Sequence, residues 1–170
     1  KRLGVGIITT AAKGGVAEAG HLRGAVEQML TLNRKAAQLM KQAEFHAVTD
    51  ITGFSLMGHS HDIAELSEVS LRFYLDQLPF LDGAKRYAED WLFPAGASCN
   101  RDAYESQVRF SSGISDEIQM LLFTPETSGG LLICVAPDDA EKLAAVFSEA
   151  GQQCWVVGEV VEGPAGIEML

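Results

Sequence analysis

The sequence predicts an α+β (layered α/β) domain, a mixed β-sheet covered by helices. Strand-like apolar runs and helix-period segments are mixed along 170 residues, with several crossovers and no internal repeat. No stretch is long or polar enough to serve as a linker, so residues 1–170 are read as one domain. Hydrophobic residues make up 47% of the chain and charged residues 21%, a balance that lets a chain of this length bury a sizeable core. The chain opens on Lys1, already close to a strand-like run, as a piece cut from a longer protein would.

Taken in order, residues 3–10 (LGVGIITT) read as a strand by β-branched content, with Gly4 and Gly6 on one face where another backbone comes close. Residues 21–44 read as the longest helix, because Leu22, Val26, Met29, Asn33, Ala36, Met40 and Ala43 step by three and four. Asn33 is the polar member of that stripe, expected to be a buried amide satisfied by nearby backbone. Residues 46–48 read as a strand ending on Asp50, and Thr52 as the N-cap of a helix running to about Ser67. Further strands are expected over 69–75, 131–136, 154–161 and 166–170. Helices are expected over 83–91 and 138–150, the second stopped by Gly151. Residues 94–100 (PAGASCN) read as a loop, 119–123 as a short apolar run, and Ser128-Gly129-Gly130 as a tight turn.

Composition narrows the function. A net charge of −10 argues against a nucleic-acid or anionic-membrane surface. No apolar run reaches the roughly 20 residues of a membrane span, and no export signal opens the chain. Cys99, Cys134 and Cys154 lack metal or redox spacing, and so sparse a count fits a reducing cytoplasm. Cys134, inside an apolar run, reads as a small hydrophobe. No G-x-S-x-G, H-E-x-x-H or Walker motif is present. His59 and His61 lie two apart on a helix and point in different directions, so they read as helix-surface residues and not as a shared ion site. What remains is Asp50, at a strand end beside a helix start where α/β sheets build ligand sites, with the threonines around it and the Gly-rich turn at Ser128. A single carboxylate there suits Mg²⁺ held jointly with nucleotide phosphates; the alternative is an ordinary turn or capping Asp.

Five blocks then bear on one family: residues 3–10; Thr49-Asp50-Ile51-Thr52-Gly53-Phe54 with Leu56-Met57-Gly58-His59; residues 94–100; residues 121–132 (LLFTPETSGGLL); and Gly158-Glu159-Val160. In this order and over essentially the whole chain, they resemble the C-terminal domain of selenophosphate synthetase (selenide, water dikinase). The resemblance implies the fold of the C-terminal domain of aminoimidazole ribonucleotide synthetase. It implies an enzyme that makes selenophosphate from selenide, ATP and water, releasing AMP and orthophosphate. It also implies Mg²⁺, a cytoplasmic homodimer, and an N-terminal domain that holds most of the ATP site and every catalytic residue. Under it, Asp50 is the one metal ligand on this piece, which would be inactive alone. Ser55 and Met57 stand where the family commonly has Gly and Leu, and Thr124 and Glu126 where it has Asp and Gln. Glu126 is expected to repel an anion in its loop unless a cation intervenes. The competing readings are a sister enzyme of the same fold, such as aminoimidazole ribonucleotide synthetase, thiamine-phosphate kinase or the hydrogenase maturation dehydratase, and a non-catalytic binding or dimerisation module.

Overall fold

The structure, a computed structural model, describes residues 1–170. Six strands form two sheets. The larger has the order β3 (Val108–Phe110), β6 (Gly166–Met169), β2 (Ser70–Phe73), β5 (Gly158–Val161). It is mixed: β6 runs parallel to both β2 and β3, and β5 runs antiparallel to β2. The smaller pairs β1 (Phe45–Asp50) with β4 (Leu131–Val135), antiparallel, with Asp50 opposite Leu131.

Alternation along β2 decides which face is covered. Leu71 and Phe73 are buried, whereas Arg72 points the other way. On that outer face Arg72 donates to Glu168 and Glu159 on the flanking strands, and Arg109 pairs with Glu168. On the inner face Leu71, Phe73, Val108, Ile167 and Met169 meet Leu56, Met57, Ile63 and Ala64 of α4 (Ser55–Ser67) and Leu122 of α7 (Asp116–Leu122). A second core lies beside it. Ile7, Ile8 and Ala11 of α1 (Val5–Lys13), Ala25 of α2 (Ala19–Leu30), Ala84, Tyr87 and Ala88 of α5 (Ala84–Glu89), and Leu121 of α7 fill it. α8 (Pro137–Glu149) follows β4, as its Pro-Asp-Asp start and Gly151 stop indicate.

Five local readings are corrected. Residues 3–10 are not a strand: only Leu3 makes an isolated bridge, to Phe80, and Val5 begins α1. The β-branched run is carried by tertiary burial, since Val5, Ile7, Ile8 and Ala11 are at most 1% exposed. Thr9 and Thr10 meanwhile donate their hydroxyls back to Val5 O and Gly6 O. The close approach expected at the glycines is real: a Cβ on Gly6 would lie 2.1 Å from the Pro125 carbonyl oxygen.

The helix expected over 21–44 is broken. α2 ends at Leu30, Thr31 is extended, and α3 (Arg34–Leu39) starts after Asn33. Residues 94–100 are not a loop but open α6 (Ala95–Tyr104), with Pro94 preceding its first turn. The run 119–123 belongs mostly to α7, and the last long strand starts at Gly158 and not at 154.

α4 begins under strain. Ser55 sits at φ 67, a left-handed conformation that costs an L-residue about 1 kcal/mol. Its side chain is fully buried and its hydroxyl has no hydrogen-bond partner. Replacing Ser55 by Gly removes both penalties. S55G is expected to raise the unfolding free energy by about 1 kcal/mol in urea denaturation, after the flexibility that Gly adds to the unfolded chain is offset. S55A keeps the backbone strain and is expected to gain less.

Candidate functional site

Asp50 lies where the sequence puts it, at the last position of β1 and five residues before α4. Pairing with β4 continues one step past it, through an Ile51 N–H to Gly130 O bond of 2.8 Å. The chain then turns through residues 51–54. The Asp50 side chain is exposed and makes no hydrogen bond or ion pair, so its carboxylate is free for a ligand. No group of three or more His, Cys, Asp or Glu side chains gathers anywhere in the chain. The donor set therefore fits one hard-oxygen ligand for a cation completed from elsewhere, not a self-contained metal centre.

The turn is gripped from several sides. Asn100 of α6, 7% exposed, donates through Nδ2 to Gly53 O and to Phe123 O, both at 3.0 Å. The backbone N–H of Glu126 donates to Thr52 O at 3.0 Å. Gly129 packs so tightly that a Cβ there would lie 1.8 Å from Ile51 O. His59, one turn into α4, accepts the Phe54 N–H at Nε2, 3.2 Å away, and lies 3.1 Å from Thr52 Oγ1. Thr52 is thus not the N-cap expected of it: Phe54 takes that place, without a side-chain cap, while the Thr52 hydroxyl faces His59.

Loop 124–130 locks against this turn, and its carboxylate points away from any ligand. Glu126 is buried, and its two oxygens accept the N–H groups of Gly4 (2.6 Å) and Val5 (2.9 Å) at the start of α1. The residue expected to repel an anion instead caps the start of α1, its two oxygens satisfying N–H groups that the helix leaves without partners. Thr124 is buried too, its hydroxyl donating to Met120 O. Ser128, at φ 54, donates Oγ–H to Met29 O, and Asn33 donates Nδ2–H to Gly129 O. Those two bonds fall on either side of the break between α2 and α3. Asn33 is the backbone-satisfied amide the sequence suggests, but its partner lies 96 residues away.

The structure therefore brings residues 49–54 and 124–130 together, and leaves the cysteines outside the seam: Cys99 and Cys154 are exposed, and Cys134 packs at the edge of the main core. His61 meets the Tyr104 ring at 5.9 Å, separate from His59. Sequence reasoning missed the role of Asn100 and gave Glu126 and His59 other roles, a loop charge and a helix-surface residue. The signal for Asn100 was a polar residue in a segment read as loop. The signal for Glu126 was a lone acid in an otherwise uncharged run.

The sequence profile of the family described as AIR synthase related protein, C-terminal domain, matches residues 1–169. The chain belongs to this family. It is 42% identical over 165 residues to the selenide, water dikinase of Pelobacter propionicus, covering 96% of this chain and 47% of that protein. The chain spans about half the length of the curated relatives it matches. Among solved structures, E. coli HypE aligns with a TM-score of 0.69 at 18% identity, over 99% of this chain and 44% of that one. The hydrogenase maturation protein HypE in complex with ATP aligns with a TM-score of 0.65 at 18% identity, over 99% and 44%. At such identities these two show a shared fold. No helix is long and apolar enough to cross a membrane.

Glu126 gives this seam a pH signature. Burial pushes its carboxyl up from 4.5 to about 7, outweighing the opposite pull of the Gly4 and Val5 N–H bonds. Unfolded, the group ionises near 4.5; folded, it keeps its proton until about 7. Its contribution to stability is thus fully present below pH 4.5, falls as pH rises from 4.5 to 7, and is flat above. At about 1.4 kcal/mol per pH unit the fall is about 3 kcal/mol. Urea denaturation of wild type and E126Q across that range checks it: wild-type stability relative to E126Q is expected to drop by that order, and a constant difference contradicts it.

Proposed function

We propose that this chain is the C-terminal domain of a selenophosphate synthetase, a cytoplasmic homodimeric enzyme that converts selenide, ATP and water into selenophosphate, AMP and orthophosphate. The observation that carries the proposal is the 42% identity, over nearly the whole chain, to a protein named selenide, water dikinase. The sister enzymes of the fold are far more distant in sequence, HypE at 18%. The chain's span of about half its relatives supports an N-terminal partner domain that carries the catalytic residues and most of the nucleotide site. This piece alone is then inactive. That a HypE of the same fold has been solved in complex with ATP supports ATP as the substrate.

In this reading Asp50 is the chain's contribution to the Mg²⁺–ATP site. Mg²⁺ would offset the phosphate charge and align the groups for phosphoryl transfer. Asp50 suits that role because its carboxylate is exposed, unpaired, and borne on a turn fixed by Asn100, His59 and loop 124–130. The net charge of −10 gives ATP no general attraction, so a bridging cation is the consistent way to seat it here.

The test is Asp50→Asn in the full-length enzyme. The side chain keeps its shape and loses its charge, and the fold does not depend on it. ATP turnover at limiting Mg²⁺ is expected to fall at least about tenfold, with partial recovery at high Mg²⁺. Turnover equal to wild type at limiting Mg²⁺ removes Asp50 from the site.

A further inference from the structure

We infer that His59 is a positioning residue for the Asp50 turn, working as a neutral hydrogen-bond acceptor and not as a ligand or proton carrier. The inference deepens the proposed function and rests on Asp50 meeting a cation. Its basis is donor geometry. The Phe54 N–H points at His59 Nε2, 3.2 Å away. Two hydrogens cannot share that space, so Nε2 carries none and the ring proton sits on Nδ1. Thr52 Oγ1 lies 3.1 Å from the same nitrogen, and a hydrogen bond between them has the hydroxyl as its donor. Nδ1 faces Asp62 Oδ2 at 3.9 Å, one turn further along α4, which favours a proton on that side. The imidazole is 14% exposed and lies against the Phe54 ring, with centroids 5.4 Å apart.

The consequence concerns how the turn is held. Its carbonyls are fixed by others, Gly53 O by Asn100 and Thr52 O by the Glu126 N–H. Its donors, the Phe54 N–H and the Thr52 hydroxyl, are fixed by His59. α4 has no N-cap side chain, and His59 does that work from inside the helix. Thr52 is two residues from Asp50. Without His59 the turn keeps its carbonyl anchors and the Ile51 N–H to Gly130 O bond but loses the anchors of its two donors nearest α4, and the carboxylate spreads over more orientations. Cation binding weakens while the chemistry, carried elsewhere, is untouched.

Gln separates acceptor from ring, because its Oε1 reaches the position of Nε2 and accepts without titrating. In the full-length enzyme at saturating ATP, H59A is expected to raise the Mg²⁺ concentration for half-maximal turnover about tenfold or more, with kcat at saturating Mg²⁺ little changed. H59Q is expected to restore most of the Mg²⁺ response. H59A with a wild-type Mg²⁺ requirement, or H59Q no better than H59A, overturns the proposal. D50N measured alongside keeps two failures apart: if D50N raises the Mg²⁺ requirement and H59A does not, only the positioning role falls; if neither does, the metal reading falls with it. Should H59A fail to fold, ¹⁵N NMR of histidine-labelled wild type decides. A ring protonated on Nδ1 alone is expected for His59, and a proton on Nε2 overturns the assignment.

Discussion

The Glu126 carboxylate, closed off from water and clasping the Gly4 and Val5 N–H groups, is the contact on which the arrangement of this molecule turns. It fixes the start of α1 from a residue more than 120 positions away. The same loop reaches Thr52 through its backbone, Met29 through Ser128, and Asn33 through Gly129. Steric limits sharpen the lock. Added Cβ atoms on Gly6 or Gly96 would strike Pro125, and one on Gly129 would strike Ile51. Loop 124–130 is thus a keystone between α1, the α2–α3 break, the β1–α4 turn and α6. Its glycines are there for close approach of backbone to backbone more than for contact with a ligand.

The keystone has a functional consequence. Inward, the loop satisfies its own polar groups, so its carboxylate adds no charge where phosphates would lie. Outward, the β1–α4 turn offers a single unpaired carboxylate on a backbone held by Asn100, Glu126 and His59. The division of labour accounts for a site with one ligand. Under the proposed function this chain would present Asp50 on a held backbone, with the remaining ligands coming from the nucleotide and from a further domain; the chain spans about half the length of the curated relatives it matches.

The sequence revealed most where local pattern and tertiary role agree. β1, β4, β6, α4 and α8 follow from alternation, helical period and start and stop residues, and the place of Asp50 was legible because a strand end beside a helix start is a local feature. The failures share one cause. Val5-Gly6-Ile7-Ile8-Thr9-Thr10 looks like a strand by β-branched content, yet a distant carboxylate caps it and the second core buries Ile7 and Ile8 as part of a helix. The stripe through residues 21–44 has helical period throughout, yet Ser128 and Asn33 bind where it breaks. Residues 94–100 carry Pro, Gly and Ser, yet Gly96 is small to clear Pro125 and Asn100 bridges two carbonyls from within a helix. Partners 23 to 122 residues apart leave no periodic trace. For the same reason Glu126 read as a loop charge facing a ligand, whereas it is an inward helix cap.

Under the proposed function this chain would deliver one carboxylate to a cation shared with another domain. Anomalous diffraction from crystals of the full-length protein, grown with Mn²⁺ and a non-hydrolysable ATP analogue, addresses it most directly. The account predicts a manganese peak bonded at once to an Asp50 oxygen, to nucleotide phosphate and to carboxylates of the other half, with Glu126 still buried at the start of α1. Manganese held entirely by the other half, with Asp50 pointing into solvent, would contradict it.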